Sequence, residues 1–362
     1  MEALSKMITS GSLQTEHSCR TASTQWLLQH FDTKAVYLNP SCTDALEMTS
    51  LILNLEASSE VIVPSYTYVS TANAFRLRTP KITFADCLEE LPVVDLKTIE
   101  PLVSRNTKAI VVMHYAGISV DMDPLIQFCQ SHGITLIEDA AHAFGARYKL
   151  KSLGTLGSLS CFSFHYTKIL SCGEGGCLLV NDESLVKIAD EVFEKGTNRN
   201  AFQQKRVNRY EWLRMGSSFA MSSLQSCVLQ EQLKVADKLV SERIMLWNRY
   251  MELLAPLQAS EYFELPRLKA YHNINGAYFY LVLPQTRMRS DLQIFLSQHG
   301  IESAAHYPAL HLSPFAKNFH NRTLPNVEKF ETCLLRLPIF NGMTLDEQLF
   351  VSEKLTVFFK NY

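Results

Sequence analysis

The sequence has no long hydrophobic run and almost no net charge. No run of about 18 apolar residues occurs, and the first residues, MEALSKMITSGSL, lack an apolar segment of signal-peptide length. The formal net charge is −2, so the chain has no electrostatic bias toward nucleic acid or an anionic membrane. We therefore expect a cytoplasmic protein that binds neither nucleic acid nor membrane.

Paired cysteine motifs are also lacking. The nine cysteines are scattered, odd in number and without a C-x-x-C sequence. Cys172 and Cys177 are the closest pair, and their spacing matches no common metal signature. This pattern predicts reduced thiols, no disulfide framework and no metal site.

What the chain does have is alternating strand-like and helix-like segments. With 362 residues, of which 47% are hydrophobic, it is long enough for two domains. Runs of β-branched residues alternate with segments of helical length, as at VIVP (61–64), KITFAD (81–86), KAIVVMHY (108–115) and ITLIEDA (134–140). The alternation predicts an α/β fold with a mostly parallel sheet flanked by helices.

The second half of the chain has a different pattern. Apolar residues three or four apart run from Leu229 to Leu254 and predict one long helix that begins at Ser218 and ends at Pro256. A strand over 277–283 and helices over 290–299 and 345–359 follow. We predict a large α/β domain over 1–240 and a smaller C-terminal α+β domain over 241–362.

Lys168 has an unusual position. It follows an apolar, strand-like run and precedes the glycine-rich sequence GEGG, where a ligand can approach the backbone closely. A lysine partly removed from water loses basicity, and its neutral amine can form a Schiff base with an aldehyde. Pyridoxal phosphate is the commonest cofactor bound in this way, and it requires an acid at its ring nitrogen and a site for its phosphate.

The chain offers candidates for both requirements. Asp139 ends an apolar strand, so it either pairs with a pyridinium nitrogen or caps the next segment. The helix that begins near Thr43 has N-cap chemistry, which is either only a cap or a phosphate site in which Asp44 contributes its backbone N–H. Tyr68 lies flat on a ring or belongs to the core or a lid. His142 contacts the ring hydroxyl or a local carbonyl.

Ten motifs in a fixed order carry a family resemblance. They are PSCTDAL, VPSYTYVSTANA, HYAG, EDAAHAFGA, SFHYTK, GEGG, KGTNR, GSSFAMS, HYPALH and LLRLPIFN. In this order they resemble the DegT/StrS-type sugar-nucleotide aminotransferases, a family with the type I fold of pyridoxal phosphate enzymes. The resemblance extends from about Gly11 to the end of the chain.

The resemblance implies roles for the cofactor residues. Lys168 would carry pyridoxal 5'-phosphate, Asp139 would pair with its ring nitrogen, Tyr68 would stack on the ring and His142 would lie near the ring hydroxyl. The phosphate would be bound by Thr43, Asp44 and Ser163, together with Ser218 from a second subunit. The protein would therefore be a homodimer with shared active sites.

The resemblance also implies a substrate. His165, Arg199, His306 and His311 match positions near the nucleotide sugar, although the last two are equally explained as ordinary loop histidines. The reaction would move the amino group of L-glutamate to dTDP-4-keto-6-deoxyglucose. The product would be dTDP-4-amino-4,6-dideoxygalactose, a precursor of cell-surface polysaccharide such as enterobacterial common antigen or the O-antigen of lipopolysaccharide. Amination at C3 and the gluco stereochemistry at C4 are alternatives.

Two departures from the family pattern support a non-catalytic alternative. Ile169 occupies the position after the lysine, where family members have asparagine. The resemblance also leads us to expect that the chain begins about a dozen residues later than its relatives, without the proline-containing strand common among them. A protein with these changes would bind a cofactor or nucleotide sugar without turning it over.

Overall fold

A seven-stranded sheet forms the centre of the protein. In this computed structural model, residues 9, 16–79 and 81–362 are described. In chain order its strands are β1 Ala35–Asn39, β2 Glu60–Pro64, β3 Lys81–Ala85, β4 Thr107–Met113, β5 Thr135–Asp139, β8 Leu159–Ser163 and β9 Gly176–Val180. Across the sheet they have the order β1-β9-β8-β5-β4-β2-β3. β9 is antiparallel to both of its neighbours, and the remaining neighbours pair in parallel. The predicted mostly parallel sheet is confirmed.

Every residue of β2, β8 and β9 is buried. Strands buried on both faces are typical of a parallel sheet covered by helices, and this explains their nearly continuous apolar sequences.

The helices have the following bounds: α1 Glu16–Phe31, α2 Cys42–Ile52, α3 Val69–Arg76, α4 Leu96–Ile99, α5 Met122–His132, α6 Glu183–Phe193, α7 Arg199–Gln203, α8 Ser223–Leu233, α9 Ala236–Gln258, α10 Thr286–Gln298, α11 Pro325–Cys333 and α12 Leu345–Asn361. Two smaller sheets complete the fold. β10 His272–Asn273 joins β6 Arg147–Tyr148 and β7 Lys151–Ser152, and β11 Phe279–Val282 pairs with β12 Leu334–Leu337.

The prediction of a single long helix from Ser218 to Pro256 is wrong. Two helices, α8 and α9, meet at Val235, whose φ of −115° and ψ of 12° are not helical. Leu233 and Ala236 are buried on either side of this break, so the apolar spacing continues although the backbone does not. Pro256 lies inside α9. The carbonyl that loses its hydrogen-bond partner belongs to exposed Glu252, where water can replace the missing N–H.

The expectation that all thiols are reduced is also wrong. Cys19 of α1 and Cys227 of α8 form a disulfide with a Cα–Cα distance of 5.1 Å, and the other seven cysteines are free. The two bonded residues are 208 positions apart in the chain. Only the packing of α1 against α8 brings them together, so their spacing in the sequence carries no signal.

Two hydrophobic clusters fill the interior. The larger cluster surrounds the seven-stranded sheet. The smaller cluster joins α9, β11, β12 and α12. None of the described helices has both the length and the apolar character needed to cross a bilayer. The expectation that the chain lacks a first proline-containing strand concerns the start of the chain, which lies outside the described residues.

Candidate active site

A cavity of about 600 Å³ lies at the carboxyl edge of the central sheet. Parallel strands end together at this edge, and ligands of α/β proteins bind there. Eight of the residues singled out in the sequence line the cavity: Thr43, Tyr68, Asp139, His142, Ser163, His165, Lys168 and His306. Four others do not line it in the described chain: Asp44, Arg199, Ser218 and His311.

Lys168 is held by a tight turn after β8. Its backbone N–H donates to the carbonyl of His165 at 2.9 Å, and the N–H of Tyr166 donates to the carbonyl of Gly173 at 2.8 Å. Gly173 has a φ of +86°, which glycine adopts without steric cost. Nζ of Lys168 lies 3.4 Å from the hydroxyl of Tyr278. The turn therefore presents a half-buried amine to the cavity.

Asp139 ends β5 and is buried. Its Oδ2 accepts a 2.6 Å hydrogen bond from the Thr71 hydroxyl, and its Oδ1 accepts a 3.1 Å bond from the N–H of Ala141. Burial raises the pKa of Asp139, while these two hydrogen bonds oppose the rise. A cationic ring nitrogen is the kind of partner that a carboxylate in this position requires.

His142 is a neutral hydrogen-bonding group. Burial lowers its pKa well below the usual value, and the positive charges of Lys168 and Arg336 contribute to the shift. Nδ1 accepts from the N–H of Ala116 at 3.4 Å, and Nε2 lies 3.1 Å from the Tyr307 hydroxyl. Because Nδ1 accepts, we assign the proton to Nε2. His142 is thus oriented toward the cavity wall that Tyr307 forms.

Two helices begin at the cavity. Ser41 caps α2 by accepting from the N–H of Asp44 at 3.1 Å, and Tyr68 is the N-cap residue of α3. The hydroxyls of Thr43 and Ser70 are 2.8 Å apart and connect the two helix starts. The first N–H groups of a helix have no partner within it. They are therefore suited to a phosphate.

Gly176 makes this arrangement possible. A Cβ atom at this position would lie 2.4 Å from the backbone nitrogen of Cys42 and 2.5 Å from the backbone carbon of Ser41. Such distances are not tolerated between a side chain and a rigid backbone. β9, which follows the loop that carries Lys168, can therefore contact the start of α2 only because residue 176 is glycine.

The C-terminal part of the chain forms the opposite wall. His306, Tyr307 and Arg336 line the cavity together with Tyr278. Sequence reasoning missed Thr71, Ser70, Tyr278 and Arg336. Arg336 had a visible signal, because it is the only charged residue in the apolar sequence LLRLPIF.

The four other predicted residues lie elsewhere. Asp44 accepts a 2.7 Å hydrogen bond from Ser41 within the α2 cap. Arg199 begins α7, where its Nη1 is 4.0 Å from Glu194. Ser218 is exposed. His311 is buried, with Nδ1 2.8 Å from Ser65 and Nε2 3.2 Å from Glu328, so both of its ring nitrogens have protein partners.

Ile169 does not leave an unmet polar contact beside Lys168. It packs against the larger hydrophobic cluster. The buried Asn275 nearby donates to the carbonyls of His142 and Phe144 at 2.8 and 2.9 Å, and its own oxygen accepts from the N–H of Ala277 at 2.9 Å. Polar atoms on this side of the cavity are therefore satisfied without an asparagine at position 169.

The residues present fit pyridoxal phosphate. The cavity provides an amine for the aldehyde, a buried carboxylate for the ring nitrogen and two helix starts for the phosphate. A mostly parallel sheet with a lysine and a buried acid at its carboxyl edge is typical of the class of pyridoxal phosphate-dependent enzymes.

Comparison with known proteins identifies the family. Residues 2–356 match the model of the DegT/DnrJ/EryC1/StrS aminotransferase family, and the chain belongs to this family. The predicted family is thus confirmed. The predicted cofactor is confirmed with it, and solved structures with this fold include pyridoxal phosphate and PMP forms.

Proteins similar to this chain come from several organisms. The chain is 30% identical over 322 residues to the uncharacterized protein MJ1066 of Methanocaldococcus jannaschii, covering 86% of this chain and 82% of that one. An aminotransferase from Psychrobacter cryohalolentis superimposes with a TM-score of 0.92 at 23% identity, covering 99% and 96% of the two chains. Helicobacter pylori PseC, an aminotransferase of pseudoaminic acid biosynthesis, gives a TM-score of 0.86 at 23% identity, covering 95% and 92%.

Proposed function

We propose that this aminotransferase transfers the amino group of L-glutamate to a nucleotide-linked 4-keto-6-deoxyhexose. The substrate would be dTDP-4-keto-6-deoxyglucose and the product dTDP-4-amino-4,6-dideoxygalactose, for cell-surface polysaccharide. The observation that carries the proposal is the convergence of Lys168, Asp139 and two helix starts on one cavity. PseC, the Helicobacter pylori neighbour, acts in the synthesis of a sugar acid, which supports a sugar acceptor.

When bound, pyridoxal phosphate supplies an electron sink and carries the amino group from one half-reaction to the other. Lys168 has two tasks in this proposal. Its amine anchors the cofactor, and when displaced by an incoming amine it carries a proton to and from the substrate carbon. Its position beside the Tyr278 hydroxyl keeps the amine within the cavity during that transfer.

Asp139 holds the proton on the ring nitrogen. It is suited to this role because it is buried and is fixed by Thr71 and the N–H of Ala141. The neutral His142, whose Nδ1 accepts from the N–H of Ala116 and whose Nε2 faces Tyr307, would lie near the ring hydroxyl. Thr43, Ser70, Ser163 and the start of α2 would bind the phosphate.

The direct test is product analysis. The protein is incubated with pyridoxal phosphate, L-glutamate and dTDP-4-keto-6-deoxyglucose, and the amino sugar is identified by NMR. We expect a galacto-configured amine at C4 and an equal amount of 2-oxoglutarate. Amination at C3 or gluco stereochemistry would replace the proposed product, and binding without 2-oxoglutarate would favour the non-catalytic alternative.

Variants test the assigned residues. Lys168→Ala should abolish turnover and prevent covalent labelling by the cofactor on borohydride reduction, read out by protein mass. Lys187→Ala is the matched control, because Lys187 is exposed on α6 outside the cavity. Asp139→Asn should retain the fold, measured by circular dichroism, and lose both half-reactions. Wild-type rates in Asp139→Asn would refute the role of the acid.

We further propose a homodimer in which Ser218 reaches the phosphate site of the other subunit. Ser218 is exposed and lies outside its own cavity. Large apolar side chains are exposed in the same part of the chain, with Trp212 75% and Met215 60% accessible. An apolar surface of this kind is typical of an interface.

Complementation tests the shared site. Lys168→Ala and Ser218→Glu should each be inactive alone. Mixed dimers should regain activity, since one of their two sites combines Lys168 of one chain with Ser218 of the other. A monomer by light scattering, or mixed dimers that form without regaining activity, would contradict the proposal.

A further inference from the structure

Arg336 brings a positive charge to a cavity whose described carboxylates, Asp139, Glu174 and Glu302, form no ion pair with it. It lies on β12, lines the cavity and places its Cζ 4.0 Å from the centre of the Tyr278 ring. Among the residues that the structure describes, no carboxylate forms an ion pair with Arg336. Its Nε is buried and has no hydrogen-bond partner. A buried guanidinium donor of this kind requires an acceptor.

The other arginine of the cavity shows the contrast. Arg243 donates from Nε to the carbonyl of Gly276 at 3.0 Å, and its two terminal nitrogens donate to the carbonyls of Ile339 and Ala277. Arg243 therefore fastens the backbone around the cavity, whereas Arg336 keeps donor capacity for a ligand.

His306 fixes the orientation of Arg336. Nη1 of Arg336 is 3.0 Å from Nδ1 of His306 and also contacts Nε2. Burial, Arg336 and Lys168 lower the pKa of His306 to about 3, so its neutral ring can accept from the guanidinium. The carbonyl of His306 accepts in turn from the Tyr66 hydroxyl. Arg336 is thus held in place by a neutral partner that leaves its charge intact.

Arg336 is also close to the reacting amine. Nζ of Lys168 lies 3.4 Å from the Tyr278 hydroxyl and 5.8 Å from the centre of the ring that Arg336 covers. Both cations therefore lie near the same tyrosine, Tyr278. A carboxylate bound to Arg336 would place an attached amino group next to the site of Lys168.

From this geometry we infer that Arg336 binds a carboxylate of the amino donor, with His306 as its positioning residue. The inference rests on the proposed transamination and adds the group that selects an amino acid as donor. A planar guanidinium matches a carboxylate with two parallel hydrogen bonds. The diphosphate of the nucleotide-sugar acceptor would then be bound by residues other than Arg336.

Binding of glutarate, which is glutamate without its amino group, tests the inference apart from activity. Calorimetry on the cofactor-loaded protein should show glutarate binding that weakens about tenfold or more in Arg336→Gln and less in Arg336→Lys. Affinity for dTDP should be unchanged in both variants. Arg322→Gln is the matched control, since Arg322 is exposed and outside the cavity. Thermal unfolding checks that all variants fold.

Half-reactions separate the two substrates. In Arg336→Gln, conversion of the cofactor by L-glutamate should slow about tenfold or more, while reaction of the aminated enzyme with the keto sugar should be nearly unchanged. Loss of only the sugar half-reaction, weaker dTDP binding, or unchanged glutarate affinity would overturn the inference. Failure of the wild-type protein to bind the cofactor or form an amino sugar would instead refute the proposed function.

Discussion

The hydroxyl of Thr71 donates a 2.6 Å hydrogen bond to Oδ2 of Asp139 and lies 2.9 Å from the hydroxyl of Thr67. Burial raises the pKa of Asp139, and the bond from Thr71 is the largest of the opposing effects. Thr71 on α3 therefore limits the rise in the pKa of Asp139, the acid that would face the ring nitrogen.

Thr71→Val should raise the pKa of Asp139 further and weaken cofactor binding. Loss of one hydrogen bond to a charged group corresponds to about a tenfold change in affinity, or about 1.4 kcal/mol. The dissociation constant of pyridoxal phosphate, measured by absorbance titration, checks this. Thr71→Ser retains the hydroxyl and should bind the cofactor nearly as well as the wild type. Equal affinities in Thr71→Val and the wild type would mean that the bond has no effect on the acid.

Glu138, next to Asp139 in β5, should make the fold sensitive to acid. It is fully buried, and it accepts from His114 at 2.9 Å and from the N–H groups of Gly154 and Gly157 at 2.7 and 2.6 Å. Burial alone would raise its pKa, but these bonds outweigh burial and lower it. Because the folded pKa lies below the unfolded one, the stabilisation is present above the unfolded pKa and is lost as pH falls through the folded value.

Glu138→Gln should lower the free energy of unfolding at neutral pH by about 1.5–3 kcal/mol, because a buried hydrogen bond to a charged group is lost. It should also flatten the decline in stability below about pH 4.5. Urea unfolding at several pH values measures both effects. Asp123→Asn is the control, because Asp123 pairs with Lys149 at the exposed surface. A variant with wild-type stability and pH dependence would contradict this role.

Reduction of the Cys19–Cys227 disulfide should destabilise the protein. A bond between residues 208 positions apart restricts the unfolded chain, and such bonds contribute about 2–4 kcal/mol. Unfolding by denaturant with and without a reductant measures the loss, and thiol alkylation followed by mass determination counts the cysteines released. The double variant Cys19→Ser and Cys227→Ser should be insensitive to the reductant. Nine alkylated cysteines in the untreated protein would show that the bond does not form.

Ile169→Asn should destabilise the protein without improving cofactor binding. Ile169 packs on the larger hydrophobic cluster, and Asn275 already pairs with the nearby carbonyls. An amide placed there without partners costs about 1–3 kcal/mol. Ile169→Val, which removes one methylene, should lose about 0.5–1.5 kcal/mol. Tighter cofactor binding in Ile169→Asn, by absorbance titration, would mean that the family asparagine makes a contact that this chain lacks.

The central sheet and the lysine side of the cavity were predictable from local sequence. The β-branched runs predicted β2 to β5 to within two residues at each end, and Asp139 and Lys168 were singled out because one ends an apolar strand and the other follows one. The opposite wall was harder to predict. Tyr278 and Arg336 reach the cavity only through the packing of β11 against β12, a pairing that local patterns do not report.

Long-range partners explain the remaining differences. His311 was explained equally well by a place near the nucleotide sugar and by an ordinary loop position, and in the structure Ser65 and Glu328 contact its ring nitrogens. The division between α8 and α9 was hidden because the apolar spacing continues through the non-helical Val235. The partners of His311 are far away in the chain, and the break at Val235 depends on its backbone angles. Neither feature leaves a pattern in neighbouring residues.

The close approach of Gly176 to the start of α2 has an evolutionary consequence. Even alanine would push the helix start away from the sheet, so the backbone at this end of the cavity tolerates no side chain at position 176. The wall that contains Arg336 and His306 is built from side chains and can be altered one residue at a time. New substrates would therefore be acquired by changing the C-terminal wall. The side of the cavity that contains Gly176 would stay the same when the specificity changes.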